Sequence, residues 1–543
     1  SFSVAIGSSA LAAQNFTTAT SSYNTAVGAL AAASVTTGVQ NVIVGALSGD
    51  ALTDADRNTV LGYSALTLDT KGSRSVAIGA VTLANQNFTT ATESYNTAVG
   101  YAAGQEITTA TFNTLIGGLS GDALTVGNKN TTLGYNTLSS DTKGDRNVAI
   151  GTDALASQNF TTSTDSYNTA VGMNAGTSVT TGNQNTLIGG LAGDALTDSD
   201  LNVAVGFQAL TSDTLGQYST AIGYGTLLSQ NLTTATNTYN TAVGFSAGLS
   251  VTTGVRNTLV GGLSGDALTT GTRNTTLGYA TLSSDTLGSR NVAVGYEALV
   301  TQNFTTATNA LNTAVGYQAG NAVTTGIENT FIGANCGDAT DDGRENTAVG
   351  SHALSGNCGN HNTAVGRFAL VSTTGEANTA LGHQAGIAVT SGIENTFVGK
   401  NAGDGTDDGN ENVAVGKSAL SGNCGDGNTA VGKDAGELIT GANNTALGKS
   451  AGKAITSGGN NLTLGKDSGL SGSPGGNITT GSNQIALGDE NISSFFAQVA
   501  LTVSSDERDK TDFTDLDLGL DFVKALEPVT YYWDKRAKYG DKY

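Results

Sequence analysis

Proline, methionine and tryptophan are almost missing from the 543 residues, with two Pro, one Met and one Trp, and 13 % of positions are charged. A multi-domain enzyme of this length does not dispense with Pro and Met while drawing this heavily on Gly, Asn, Thr and Ala. Scarce charge with regularly placed aliphatic residues also separates the chain from disordered sequences. The formal net charge is −21 and no basic run occurs, so nucleic acid and anionic membranes are not expected partners. No stretch approaches the ~20 apolar residues of a spanning helix, and no membrane insertion is expected. Cys336, Cys358 and Cys424 form no CxxC pair and are odd in number, which gives no disulfide framework. His352, His361 and His383 stand apart from one another and from cysteine at ligand spacing, so no metal centre is expected on them. Residue 1 is a serine just ahead of Ser3-Val4-Ala5-Ile6-Gly7, already a repeat, and the chain is read as processed or as a fragment.

What the chain has instead is periodicity. Asn24-Thr25-Ala26-Val27-Gly28 recurs as Asn96 to Gly100, Asn168 to Gly172, Asn240 to Gly244 and Asn312 to Gly316, a spacing of 72 residues. Weaker copies fill each large unit, with glycines at Gly7, Gly28, Gly45, Gly62 and Gly79, so the steps are 21, 17, 17 and 17. After Gly316 the steps become mainly 16 or 17 through Gly465, and a last copy ends at Gly488, giving 28 copies.

Aligned copies assign a role to each position. The residue before the glycine is always Val, Ile or Leu, as in Ile6, Val44, Leu61 and Ile116, and is expected to face a core. Three residues after the glycine the side chain is nearly always small, as in Ala10, Ala31, Ser48 and Cys336, which makes a second, narrow inward position. The leading Asn is expected to hydrogen-bond backbone at a corner, and the Gly to permit a bend or a close approach of chain. Helical solenoid repeats are about twice as long and avoid Gly, Asn and Thr. A period of 16 to 17 suits one coil of two short strands and two turns, stacked at ~4.8 Å, so 28 coils would make a rod on the order of 130 Å long. The expected fold is therefore all-β, a parallel β-roll or β-solenoid of 16–21-residue coils, in which no single coil stands alone.

The pattern Asn24-Thr25-Ala26-Val27-Gly28-Ala29-Leu30-Ala31 resembles the head repeat of trimeric autotransporter adhesins, a parallel β-roll whose three chains bury their inner faces together; such rolls also occur in phage fibres. The resemblance spans residues 1–490 and implies a homotrimer. After about residue 500 the composition changes abruptly. Ser504-Ser505-Asp506-Glu507-Arg508-Asp509-Lys510, Leu518-Gly519-Leu520-Asp521-Phe522-Val523 and Leu526-Glu527-Pro528-Val529-Thr530-Tyr531-Tyr532-Trp533 resemble the start of the intramolecular chaperone domain of endosialidase-type phage tail fibres and spikes. That resemblance implies a domain that helps three chains register and fold and is then released by self-cleavage, with Ser505 as nucleophile and Lys510 as its partner. A serine hydroxyl needs a base, and a lysine serves as one when desolvation or a nearby cation depresses its pKa; Arg508 is the candidate cation. The domain plan is a shaft over 1–490, a connector over 491–504 and the truncated N-terminal part of a chaperone over 505–543.

Two sets of residues along the shaft are candidate contacts. The 21-residue coils carry an insertion, Gln14-Asn15-Phe16-Thr17-Thr18-Ala19-Thr20, repeated at Asn87, Asn159, Asn231 and Asn303, hence four coils or ~19 Å apart. Phe16, Phe88, Phe160 and Phe304, with Tyr23, Tyr95 and Tyr167, would offer aromatic faces to sugars of a receptor, avidity rising with the number of copies. The plainer and favoured reading packs each Phe onto the shaft. The loops also hold Asn-x-Thr sequons, which matter in a glycosylating host. Asp338, Asp341 and Asp342, and Asp404, Asp407 and Asp408, crowd two turns and are the candidate Ca²⁺ ligands, with turn formation the competing role; no cofactor is otherwise required. Lys417 and Lys449 follow glycines as in a phosphate loop, but Glu411 and Asn443 replace the first Gly, and a nucleotide site is rejected.

The expected protein is a phage tail or host-recognition fibre, located on the virion tail or otherwise extracellular. Its expected partners are its own copies, a bacterial surface glycan or protein receptor, and other tail proteins. A bacterial adhesin or extracellular filament subunit on the same roll is the alternative. The repeat leaves no room for a catalytic domain acting on an external substrate, so the only chemistry expected is autoproteolysis at Ser505. Thr17, Thr18 and Thr20 recur once in four coils, which is too sparse for an ice-binding array.

Overall fold

Each pentad forms a strand of three residues, such as Thr25–Val27, Val42–Val44 and Thr59–Leu61. In the computed structural model, which describes residues 2–499 and 520–527, these strands make one 28-stranded parallel sheet. Each strand pairs with the next copy without slippage: Thr25 opposes Val42, Ala26 opposes Ile43 and Val27 opposes Val44. The same register runs to the last pairing, Leu462–Leu464 on Ile485–Leu487. The shaft is therefore a parallel β-solenoid with coils of about 17 residues. A second strand per coil forms only beside the insertions, as Gly72–Ser73 on Thr92–Glu93 and its three equivalents; elsewhere turns complete the coil.

One expectation is reversed. The aliphatic residue before the glycine points outward, with Leu61 48 % and Leu277 50 % exposed, while the middle residue of the strand, Ala26, Ile43, Val60 or Leu115, is buried. Alternation along a three-residue strand allows one inward side chain, and it is the central one. The Thr or Val that opens the strand lies on the same outward face as the aliphatic residue.

The interior is filled by a volume rule across three positions. Where the fourth residue after the pentad glycine is Leu, as in Leu66, Leu138 and Leu210, that side chain fills the coil, and the seventh residue is polar: Asp69, Asp141, Asp213. Where the fourth residue is Gly, as in Gly49, Gly121 and Gly193, the seventh is Leu52, Leu124 or Leu196, fully buried. Two coils use a third solution. Phe331 and Phe397 occupy the middle of the strand, with Gly337 and Gly403 beneath them, and a Cβ at Gly403 would lie 2.4 Å from the Phe397 ring. Close packing at near-constant volume explains the covariation.

Polar ladders bind coil to coil. The buried Asn41 backbone N–H donates to Asn24 Oδ1 at 2.9 Å, and Asn24 Nδ2 donates to the Gly38 carbonyl at 2.7 Å. The motif repeats through Asn58, Asn113, Asn185 and Asn257. This satisfies a side chain and a corner backbone group in one step, as the leading Asn requires. The pentad glycine serves close approach: Gly206 has φ +137°, and a Cβ there would stand 2.3 Å from the Gly223 carbonyl oxygen of the next coil. Cys336 fills a small inward slot and burial pushes its thiol up to about 12; Cys358 and Cys424 are also buried, with raised thiol values for the same reason.

The chain divides into Ser1–Glu490 and Asn491–Tyr543. The second unit contains a short helix, Leu520–Ala525, with no buried residue. Among the described residues no helix is long and apolar enough to cross a membrane.

Candidate functional site

Four of the five insertion loops are fixed by a buried carboxylate that the sequence reading did not single out. Asp141 sits at the seventh position after Gly134 and is fully buried. It accepts hydrogen bonds from Gln158 Nε2 at 2.7 Å and from the backbone N–H groups of Gly144 at 3.0 Å and Phe160 at 3.2 Å. Gln158 Oε1 in turn accepts from Asn168 Nδ2 at 2.8 Å, which joins the loop to the Asn ladder. The arrangement recurs at Asp69 with Gln86, Asp213 with Gln230 and Asp285 with Gln302. Burial pushes the Asp69, Asp141 and Asp285 carboxyls up, against the opposing effect of these hydrogen bonds. The 72-residue recurrence of an Asp 17 residues before a Gln was the available signal.

This clamp decides the fate of the aromatic candidates. Phe88, Phe160 and Phe304 are buried, and Phe16, in the first coil, is half-buried. Thr70 Oγ1 donates to the Phe88 carbonyl at 2.7 Å, and Thr142 does the same to Phe160. The packing role is the observed one, and the phenylalanine rings do not form an outward face. Tyr23, Tyr95 and Tyr167 are exposed, but they precede the Asn of the pentad and flank the large sheet. Arg74 lies 5.2 Å above the Tyr95 ring and Arg146 5.3 Å above Tyr167. The exposed rims of the loops are polar instead, with Asn87, Thr89 and Thr90 in one and Asn159, Thr161 and Thr162 in another.

The acidic turns are also spread out. Asp341 and Asp407 accept from Thr324 Oγ1 and Thr390 Oγ1, while Asp338 and Asp404 lie within hydrogen-bond reach of Asn335 and Asn401. Asp342 and Asp408 are exposed. Among the described residues no group of three or more His, Cys, Asp or Glu side chains is gathered in a way that could hold a metal ion.

The outward sheet face is continuous, a column of Val, Ile and Leu before the glycines beside a column of Thr and Val that ends in Leu462 and Ile485. Two flanks border it. Before the Asn, Tyr218 stacks on Tyr239 with centroids 5.2 Å apart; after the Gly, Tyr279, Tyr296 and Tyr317 stack at 5.6 and 5.4 Å. A continuous column of part-exposed aliphatic side chains of this kind marks an interaction surface.

Ser505, Arg508 and Lys510 lie outside the described residues. Their segment is nonetheless assigned by comparison. Residues 505–543 match the family described as chaperone of endosialidase. No curated protein matches the chain. The endosialidase-chaperone match begins at the serine expected as nucleophile and includes the short helix Leu520–Ala525. A β-solenoid shaft followed by this segment fits a tail fibre with a C-terminal chaperone.

Proposed function

We propose that the chain is the shaft of a bacteriophage tail fibre or tailspike, a homotrimer that attaches the virion to a bacterial surface. The observation that carries this reading is the junction of a 28-stranded solenoid with an endosialidase-chaperone segment at residues 505–543. Three copies turn their sheet faces toward a common axis and remove the outward Val, Ile and Leu columns from water. The chaperone segment aligns the copies, since near-identical coils otherwise pair out of step and long-range parallel pairing is slow. Autoproteolysis beside Ser505, with Lys510 as base and Arg508 lowering its pKa, then separates the segment, and loss of the template gives the shaft kinetic stability. Receptor contact falls to the polar rims of the insertion loops, repeated at ~19 Å.

Intact mass and light scattering on the full gene product test this. The expected result is a trimer of shafts and a fragment beginning near residue 505, with Ser505→Ala leaving the chain uncut and Lys510→Ala doing the same. Monomers at every concentration, with no fragment, would overturn the proposal.

A further inference from the structure

The two flanks of the sheet face change character along the shaft. After the pentad glycine stand Tyr63, Tyr135, Tyr279 and Tyr296 in coils whose residue before the Asn is Arg57, Lys129, Arg273 and Arg290. From Gly366 onward the same flank carries Arg367, His383 and then five lysines from Lys400 to Lys466 in seven successive coils, all exposed. Like charges one coil apart, at ~4.8 Å, repel one another. Lys433 and Lys466 are relieved inside the chain by Asp434 at 3.3 Å and Asp467 at 3.0 Å. Lys400 and Lys417 have no such partner among the described residues, yet the opposite flank of their own coils carries the exposed Glu394 and Glu411. No coil has Lys or Arg on both flanks.

The two flanks stand at opposite ends of the three-residue strand Thr396–Val398, and Lys400 makes no ion pair with Glu394 of its own chain. A second copy can supply it. This step rests on the trimer proposed above: a three-fold axis along the shaft sets equivalent coils at one height and turns one flank of each copy toward the other flank of its neighbour, a head-to-tail ring. We propose that the flanks are complementary halves of an interface between copies of this chain. Lys400 and Lys417 of one copy meet Glu394 and Glu411 of the next, and the tyrosines at 63, 135, 279 and 296 receive the facing cations. A slip of one coil in one direction would set Lys417 against Gly427 and keep only Lys400 against Glu411, whereas a slip the other way would set Lys400 against Ala377 but bring Lys417 to Glu394 and Lys433 to Glu411.

Charge reversal with rescue tests the pairing in the full-length chain. Lys400→Glu with Lys417→Glu places like charges at all three junctions and is expected to raise the concentration for half-dissociation of the trimer about tenfold at low salt, with a smaller effect at high salt. Adding Glu394→Lys and Glu411→Lys reverses both sides and is expected to restore the wild-type value. A role of the lysines within one chain, or in binding an anionic polymer, gives no such rescue. Wild-type monomers would overturn the trimer and this inference together. A wild-type trimer unaffected by the first pair of substitutions, or not restored by the second, would overturn the flank pairing alone.

Discussion

The shaft up to Gly316 and the shaft after it share one backbone plan but fix their coils differently. In the first part the coils come in sets of four with one insertion each, and four of the five insertions are clamped by a buried Asp and Gln. In the second part no such clamp is formed among the described residues; Phe331 and Phe397 fill the interior over Gly337 and Gly403, and Cys336, Cys358 and Cys424 fill small slots. The carboxyls that burial pushes up, Asp69, Asp122, Asp141, Asp200, Asp266 and Asp285, all belong to the first part. The difference separates what the repeat demands everywhere, the Asn ladder and the pentad glycine, from what each region adds to it.

The strongest test asks whether the shared devices weigh equally in the two parts. Gly206→Ala and Gly399→Ala each drive a Cβ into the next coil's carbonyl, at 2.3 and 2.6 Å, from a backbone that L residues rarely adopt. Both are expected to cost about 3 kcal/mol or more, by chemical denaturation. A loss at one site and not at the other would break the equivalence of the coils. Next, Phe397→Ala empties a fully buried volume and is expected to cost about 3–5 kcal/mol. Hydrogen exchange should place the loosening in the second part, and protection lost before Gly316 instead would contradict the nearest-neighbour character of the stack.

Acid sensitivity should distinguish the parts in the opposite direction. The Asp69, Asp141 and Asp285 carboxyls hold their protons more tightly folded than unfolded, so the stability linked to them is fully present below the ordinary value of 3.8 and is lost as pH rises through the folded values. Replacing all three with Asn is expected to flatten the stability of the first part across mildly acidic pH, read as the difference from wild type in urea unfolding. An unchanged slope would show that these groups titrate as they do in the unfolded chain. The smallest effect is expected at Tyr167, exposed but beneath Arg146: Tyr167→Ala should cost about 0.5–1 kcal/mol.

Much of this was legible in the residues. The pentad period located the strands and the coil length, and the Asn position carried its hydrogen bonds because few short polar side chains satisfy a buried corner. The facing of Val27 and its equivalents was misread, because size was taken as the mark of burial. A three-residue strand has room for one inward side chain, and the narrow coil admits Ala26 there while leaving Val27 outside. The volume rule joining Leu66 to Asp69 and Gly49 to Leu52 was present in the sequence but becomes intelligible only once these positions are known to share one cross-section. The Asp141 clamp was hidden for the same reason, since Asp141, Gln158 and Asn168 lie on different coils and meet only when the coils stack.

The unslipped register of the sheet also makes the shaft a ruler. Asn24 to Gly28 and Asn96 to Gly100 are identical pentads, so one 72-residue block could be excised or duplicated with nearly every junction left chemically unchanged. Each such event would alter reach by ~19 Å. Length in this protein is thus a count of blocks, adjustable by recombination between like sequences without redesign of any contact.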